Sequence, residues 1–397
     1  MESFFAPCPR GLESVLAAEL TAIGAGETDC KPGGVAFVGE LALAMRANLE
    51  SRVASRVLWR VGDGEYATAD DIYAGTRALP WSDWFGPERT IRVDVAAIRS
   101  PLRSLDFATL RIKDAVCDAS RLSTGQRPSV DTARPDVRIH AFLDAQRWTM
   151  YLDTSGEALF KRGWRASGSE APLRENLAAG ILLLAGWTVG TPLYDPMCGS
   201  ATFLIEAALM SLRRAPGLRR PFGFQKLKPF DLKAFQRAKS ELQSRALDAK
   251  RLAIFGSDSD PRVLELARQN LAEARLAQTV QLQSGDVLDA TAPAPEGLLI
   301  MNPPYGVRLG TEAQARALYP RLGDLLKQRF TGWRACILTA DTALPKQIQL
   351  RASKRTPLFN GALECRLYEY RLVAGTLRRT RSAQESDGAL GSGPTRS

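Results

Sequence analysis

The chain of 397 residues is 45% hydrophobic and 24% charged, which is the composition of a soluble globular protein with two or three domains. No stretch approaches the roughly 18 continuous apolar residues of a membrane helix. The first residues lack the basic and apolar regions of a signal peptide. The only histidine, His140, lies in an alternating strand pattern. A histidine-rich zinc site or a Ser-His triad is therefore nearly excluded, and we predict no metal site.

The net charge of +10 favours a polyanionic partner, because lysine and arginine neutralise phosphates and release counterions. Charge alone does not separate RNA from DNA or from an acidic membrane surface. The six cysteines include no Cys-x-x-Cys pair, which favours reduced, mostly buried thiols and a cytoplasmic location.

Residues 1–45 have the pattern of a small α/β unit, and residues 46–155 alternate strands and helices. In the second region we predict a helix from Asp70 to Leu79 that Thr68 caps, because threonine is a favoured N-cap residue. A second helix is predicted to begin at Leu105. Two antiparallel strands are predicted at 136–143 and 148–153.

Basic side chains recur on these helices and loops and again between Arg213 and Arg251, where four phenylalanines lie among them. This interleaving favours RNA, through phosphate contacts and base stacking. A solvated helix with a buried aromatic side remains the alternative. The residues predicted to contact RNA are Arg111, Lys113, Arg127, Arg214, Arg219 and Arg220.

Beyond residue 190, three short apolar strands each lead into an acidic residue: Asp195, Asp258 and Asp286. Asp195 is followed by a loop of small residues with Gly199, where the backbone can approach a ligand closely. We expect the next helix to begin at Ser200 or Thr202, since either side chain can cap it. A ligand is expected over this loop, at the carboxyl edge of a doubly wound sheet.

A fourth apolar strand ends in Asn302-Pro303-Pro304-Tyr305. The prolines stiffen the loop and supply no donors, so it offers acceptors: the Asn302 side-chain oxygen and the Pro303 carbonyl. Tyr305 adds a flat aromatic face. This set suits an amino group on a ring that stacks on Tyr305; taken alone, it is equally typical of a proline turn after a core strand.

The four motifs in this order resemble the class I S-adenosylmethionine-dependent methyltransferases. The resemblance implies an α/β fold with a Rossmann-like domain built on a mixed seven-stranded sheet. It also implies that Gly199 lies near the methionine end of the cofactor, Asp258 near the ribose and Asp286 near the adenine. The implied cofactor-binding residues are Leu173, Asp195, Pro196, Met197, Cys198, Gly199, Ser200, Thr202, Asp258, Ser259, Asp286, Val287 and Asn302.

Further motifs, among them Gly163-Trp164-Arg165, Arg214-Ala215-Pro216-Gly217-Leu218 and Gly256-Ser257-Asp258, resemble the THUMP-domain RNA methyltransferases. The chain is most similar to the branch that methylates guanine N2 in bacterial 23S rRNA. This implies a ferredoxin-like unit (1–45), a THUMP RNA-binding domain (46–155), a methyltransferase domain (156–376) and a disordered basic tail (377–397).

The resemblance further implies a monomer that acts on 23S rRNA or a large-subunit precursor. The implied catalytic residues are Asn302, Pro303, Pro304 and Tyr305. The chain departs from the pattern in two ways. Ala201 stands where the family usually has a second glycine, so the loop is strained if this residue has a positive φ. Some relatives also carry a second, fused methyltransferase domain, and that activity is not predicted here.

Two alternatives stay open. Asn-Pro-Pro-Tyr also serves adenine-N6 methyltransferases that act on DNA or RNA. The second alternative is a non-catalytic RNA-binding assembly factor that keeps a degenerate cofactor fold, of which Ala201 would be a sign. Intact Asp258, Asp286 and Asn302-Pro303-Pro304-Tyr305 argue against that class.

Overall fold

In the computed structural model of the protein, residues 1–165, 173–303 and 312–373 are described. Two sheets organise these residues, one in each half of the chain, and each sheet contains seven of the described strands. Among these residues, no helix is long and apolar enough to cross a membrane.

The first sheet has the strand order β2-β3-β1-β4-β7-β6-β5. Its neighbours pair antiparallel except β5 and β6, which are parallel. The strands are β1 (Glu2–Pro7), β2 (Thr28–Lys31), β3 (Gly34–Gly39), β4 (Leu58–Glu65), β5 (Ile91–Ala97), β6 (Val137–Leu143) and β7 (Arg147–Asp153). The helices are α1 (Glu13–Ile23), α2 (Leu41–Glu50), α3 (Ala69–Arg77), α4 (Trp81–Trp84) and α5 (Leu105–Thr124).

The local predictions for this half hold in the structure. Thr68 caps α3 and forms a capping box with Asp71, which satisfies free N–H groups at the start of the helix. The strands β6 and β7 pair antiparallel as expected. The predicted division after residue 45 falls within α2, and β4 pairs with both β1 and β7. The two predicted amino-terminal units therefore share one sheet.

The second sheet has the order β10-β9-β8-β11-β12-β14-β13, with five parallel strands followed by an antiparallel pair. Its strands are β8 (Leu193–Asp195), β9 (Ile254–Asp258), β10 (Gln281–Ser284), β11 (Leu298–Met301), β12 (Arg334–Thr339), β13 (Lys354–Asn360) and β14 (Leu363–Arg371). The helices are α6 (Glu175–Leu184), α7 (Thr202–Ser211), α8 (Leu232–Ser244), α9 (Pro261–Glu273), α10 (Glu312–Arg329) and α11 (Leu344–Gln347).

This is the mixed seven-stranded sheet that the sequence predicts. From β8 the chain moves to one side through β9 and β10, and then returns to the other side of β8 with β11. The order reverses between β8 and β11, and a crevice opens at the carboxyl ends of such strands. The fold thus brings the loop after Asp195 next to Asn302.

The two halves are joined by buried polar contacts. Arg162, only 3% exposed, pairs with Glu206 of α7 at 3.3 Å and donates to the carbonyl of Arg52 at 2.6 Å. Arg52 in turn donates to the carbonyl of Arg214 at 2.8 Å. These bonds connect the segment between α2 and β4 to α7 and to the segment that follows α7.

Candidate functional site

The loop after β8 is held in place through its backbone. The Cys198 N–H donates to the Ser257 carbonyl at 2.9 Å, and the Gly199 N–H donates to Oδ2 of Asp258 at 3.0 Å. Asn270 of α9 donates to the carbonyl of Ser200 at 3.0 Å. The loop is therefore anchored to the neighbouring strand β9 and to the helix that follows it.

Gly199 has a φ of +53°, a conformation that L side chains rarely adopt. A Cβ built on Gly199 would meet no described heavy atom within 4 Å. The backbone conformation favours glycine here, and the space beside the loop is open. A ligand can approach this backbone closely, which fits the predicted role of the loop.

The helix α7 begins at Thr202, as predicted, but no side chain caps it. Neither Ser200 nor Thr202 caps the helix; Ala201 occupies the N-cap position in the left-handed conformation, with a φ of +66°. The predicted side-chain cap was wrong: Thr202 is the first residue inside the helix, and the hydroxyls of Ser200 and Thr202 are each 3.2 Å from a guanidinium nitrogen of Arg165. Because alanine is strained at a positive φ, the loop is strained at Ala201.

Arg165 is a residue of this site that the sequence motifs contained but did not single out. Its guanidinium also donates to Glu175 at 2.9 Å and to the Leu173 carbonyl at 3.1 Å. Burial raises the pKa of Glu175, and the charge of Arg165 opposes that rise. Arg165 therefore connects the start of α6, at Leu173 and Glu175, to the glycine loop.

Asp195 lies beneath this loop and is only 2% exposed. Burial raises the pKa of its carboxyl well above the usual range, against a hydrogen bond from the Met197 N–H and with a further rise from the Asp258 charge. Pro196 is buried and Met197 half-buried. Burial also raises the pKa of the Cys198 thiol, so this cysteine is protonated and is no candidate nucleophile.

The other predicted cofactor residues lie at the ends of β9 and β10. Asp258 is half-buried, and its Oδ1 accepts from the Asp260 N–H at 3.0 Å. Ser259 is exposed. Asp286 is exposed and accepts from the Leu288 N–H at 2.8 Å, whereas Val287 is buried in the core.

Asn302 follows β11 directly and is half-buried. Its Oδ1 is a buried acceptor with no hydrogen-bond partner among the described residues. Unsatisfied buried acceptors are uncommon in folded proteins, and this one lies at the crevice. Pro303 is buried, and the predicted residues Pro304 and Tyr305 lie outside the described residues.

The predicted RNA contacts in the first half lie on or beside α5. Arg111 pairs with Asp70 at 2.5 Å and stacks on Tyr73, and Lys113 pairs with Asp114 at 2.9 Å. Arg127 is exposed. Among the described residues, none of these three contacts a residue of the crevice.

In the second half, the interpretation of the phenylalanines as base-stacking groups was wrong. They are at most 5% exposed and stack on one another, so they form an aromatic core: Phe222, Phe224, Phe230 and Phe235.

The three arginines predicted to contact RNA in that half bind backbone carbonyls. Arg214 donates to Arg275, Arg219 to Glu273, and Arg220 to four carbonyls between Ser155 and Lys161. Burial lowers the pKa of Arg220 to about 10. These four bonds indicate that Arg220 stabilises the segment 155–161.

A mixed sheet with a reversed strand order, a glycine loop after the first strand and a carboxylate at the end of the second defines a class I S-adenosylmethionine-dependent methyltransferase. Described residues include no group of three metal-ligating side chains.

Comparison with known families agrees with this class. Residues 3–58 match the RlmL ferredoxin-like domain, residues 66–153 the THUMP domain, and residues 162–369 the RMKL-like methyltransferase domain. The chain belongs to the RMKL-like methyltransferase family, and the resemblance seen in its sequence is confirmed.

Relatives of two kinds match. The Synechocystis sp. protein "Putative RNA methyltransferase slr0064" is 39% identical, over 93% of this chain and 96% of that protein. "Ribosomal RNA large subunit methyltransferase K/L" of Aeromonas salmonicida is 40% identical over 94% of this chain. The chain spans only 54% of the length of the Aeromonas relative.

Among solved structures, that of SMU.472 in complex with SAH superposes with a TM-score of 0.85. It is 30% identical and covers 94% of this chain and 99% of its own.

Proposed function

We propose that the protein transfers a methyl group from S-adenosylmethionine to the exocyclic N2 amino group of a guanine in 23S rRNA. The observation that carries the proposal is the buried Asn302 Oδ1, which lacks a partner among described residues and lies at the crevice between β8 and β11. An acceptor in that position suits an amino group that donates N–H bonds. The name of the Aeromonas relative supports large-subunit rRNA as the substrate.

An exocyclic amino nitrogen is a poor nucleophile, because its lone pair is delocalised into the ring. Asn302 Oδ1 and the Pro303 carbonyl would accept its two N–H hydrogens and favour the pyramidal nitrogen. Both acceptors are fixed at the end of a buried strand, so catalysis would come from positioning and preorganised electrostatics. When bound, S-adenosylmethionine supplies an electrophilic methyl group. In this scheme Tyr305 stacks on the extruded base and Pro304 stiffens the loop.

The residues of the loop and strand ends would hold the cofactor. Gly199 leaves the open space beside the loop, and Asp258 presents its carboxylate at the end of β9 with lone pairs beyond those used by Gly199 and Asp260. The other predicted cofactor residues here lie in the loop or at its two ends: Asp195, Pro196, Met197, Cys198, Ser200 and Thr202. Leu173 is connected to the loop through Arg165. Ser259, Asp286 and Val287 would complete the adenosine side.

The THUMP domain supports an RNA partner. Arg127 is the predicted contact there that is exposed and pairs with no acidic residue in the described part of the chain. We propose that Arg111 and Lys113 extend this surface and that the protein acts as a monomer in the cytoplasm. Naked 23S rRNA and a large-subunit precursor are both candidate substrates.

A second candidate is adenine-N6 methylation. The same Asn302 acceptor suits any exocyclic amine on a purine, so the geometry of this residue favours both reactions. The THUMP domain favours RNA over DNA as the substrate in either case.

The test is methylation of an unmodified 23S rRNA transcript with isotopically labelled S-adenosylmethionine, followed by mass spectrometry of the nucleosides. We expect label in N2-methylguanosine. Label in N6-methyladenosine would select the second candidate. Absence of label with both the naked transcript and large-subunit precursors, in the presence of measured cofactor binding, would contradict the proposal.

A further inference from the structure

A cavity of about 530 Å³ lies beside the glycine loop, on the side of the linker between the two halves of the chain. Its walls come from three segments: the linker (Phe160, Lys161, Arg165), the start of α6 (Arg174) and the end of β13 (Asn360). The proposed cofactor and amine sites do not use this cavity. Its volume lies in the range of pockets that hold small organic ligands.

One side chain separates the cavity from the cofactor loop. Arg165 lines the cavity and also lies 3.2 Å from the hydroxyls of Ser200 and Thr202. The wall that Asn360 contributes lies at the carboxyl edge of the second sheet. Thr339 at the end of β12 pairs with Arg366 near the start of β14, so the turn before β14 points toward the edge that carries Asn302.

The lining is cationic. Lys161, Arg162, Arg165 and Arg174 contribute positive charges, and Glu175 is the carboxylate that lines it among the described residues. Arg162 is buried against Glu206, and Arg165 is paired with Glu175. Lys161 pairs with Glu157, but both side chains are more than half exposed, so that pair is weak and a phosphate can compete for the lysine.

Arg174 is exposed at the N-terminus of α6, and its guanidinium lies 4.9 Å from the centre of the Phe160 ring. Its Nη2 is 3.3 Å from the position that a Cβ at Gly361 would take, so the turn between β13 and β14 contacts the arginine. A second pair of this kind, Arg10 over Phe359 at 4.5 Å, continues the surface toward the first sheet. Guanidinium planes and aromatic rings are the surfaces on which unpaired RNA bases stack.

We propose that this cavity binds an unpaired nucleotide of the RNA strand that flanks the methylated base, with its phosphate at Lys161 and Arg174 and its base against the Arg174–Phe160 stack. The inference rests on the proposed RNA methyltransferase function and identifies where the strand passes between the first sheet and the crevice. A base taken out of its helix leaves flanking nucleotides unstacked, and those nucleotides need a surface of this type.

The experiment measures affinity of the full chain for an unmodified 23S rRNA transcript at several salt concentrations, without turnover. We expect Arg174→Ala to weaken binding about tenfold and to reduce the slope of log K against log salt by about 0.7, because one contact to a single-stranded phosphate is lost. Arg174→Lys should restore the slope but only part of the affinity, since the ammonium replaces the charge and not the planar stack. Phe160→Leu should weaken binding with an unchanged slope.

Arg237→Ala is the matched control, because Arg237 is 73% exposed on α8 and does not line the cavity. It should leave affinity and slope as in the wild type. All variants should bind S-adenosylhomocysteine as the wild type does in calorimetry, which establishes that they are folded. Wild-type affinity and slope for Arg174→Ala and Phe160→Leu would overturn the inference.

Failure of the proposed function gives a different result. If the wild type labels adenine and not guanine while Arg174→Ala still binds RNA tenfold more weakly, the cavity keeps its role and the choice of base falls. If the wild type labels guanine N2 but the cavity variants bind RNA normally, the function stands and the cavity inference fails.

Discussion

The backbone N–H of Gly199 donates to Oδ2 of Asp258 at 3.0 Å, so the glycine loop after β8 and the carboxylate at the end of β9 form one unit. The family resemblance implies that both residues bind the cofactor, but it does not predict a hydrogen bond between them. Because Oδ1 of Asp258 accepts from the Asp260 N–H as well, this carboxylate orders the loop on one side and the start of α9 on the other. A change at Asp258 therefore affects the shape of the loop in addition to any direct contact.

Asp258→Ala should weaken S-adenosylhomocysteine binding by at least tenfold in calorimetry, since it removes both the proposed ribose acceptor and the anchor of Gly199. Asp258→Asn keeps one side-chain acceptor and should lie between the alanine variant and the wild type. The control is Asp248→Ala, because Asp248 is exposed and lies outside the site. Equal affinity for Asp258→Ala and Asp248→Ala would refute the role of this carboxylate.

Asn302→Ala should reduce methyl transfer at least a hundredfold and leave S-adenosylhomocysteine affinity within about twofold, because the lost acceptor acts on the substrate amine. Asn302→Asp keeps an acceptor but adds a charge at a half-buried position, so it should retain more activity than the alanine variant and bind the cationic cofactor at least as well. Single-turnover rates separate the chemical step from binding. A wild-type rate for Asn302→Ala would contradict the proposed scheme.

Part of this site is predictable from the sequence and part is not. The strand ends at Asp195, Asp258 and Asn302 follow short apolar runs, and local pattern suffices to place them at one edge of a parallel sheet. The brace from Arg165 to Ser200 and Thr202 spans 35 and 37 residues of sequence, so local pattern does not reveal it.

The same limit explains why the side-chain cap of α7 and the base-stacking phenylalanines were predicted wrongly. A serine or threonine before an apolar run predicts an N-cap, but it does not reveal that a distant arginine binds the hydroxyl. Phenylalanines among arginines are compatible with both RNA stacking and an aromatic core; the structure shows that the rings of Phe222 and Phe224 face each other at 5.3 Å inside the protein. The hydrophobic pattern of a helix or strand predicts which face is apolar, but not what that face packs against.

Ala201→Gly should change the free energy of unfolding by less than about 1 kcal/mol. Relief of the left-handed conformation contributes about 1–2 kcal/mol, while loss of a buried methyl group and the greater freedom of glycine in the unfolded chain each cost somewhat under 1 kcal/mol. Ala201→Val is the matched variant. A β-branched side chain at a φ of +66° in a fully buried position should cost well over about 2 kcal/mol. Denaturant unfolding measures both, and a small loss for valine would show that the loop tolerates a different conformation.

Stability should depend on pH through Asp195. The pKa of this carboxyl is raised in the folded protein, so its contribution to stability is fully present below the unfolded pKa and is lost as pH rises through the folded pKa. Asp195→Asn keeps an acceptor for the Met197 N–H and carries no charge. Its Tm should exceed that of the wild type at about pH 8, and the difference should shrink as the pH falls toward about 4. A Tm difference that stays constant over this range would show that Asp195 does not titrate as its burial requires.

The Arg162–Glu206 pair should contribute strongly to stability, because it holds the arginine that reaches Arg52 in the first half of the chain. Both side chains are at most 2% exposed, and Arg162 also donates to the carbonyls of Leu159 and Arg52 at 2.6 Å. Glu206→Ala leaves a buried cation without its carboxylate, so we expect a loss of about 3–5 kcal/mol in denaturant unfolding. Replacing both residues with methionine should recover part of this loss, because no uncompensated charge remains. The control is Glu265→Ala on α9, whose pair with Arg268 is more than half exposed and should contribute less than about 0.5 kcal/mol. If the two single variants lost equal stability, the buried pair would contribute no more than a surface pair.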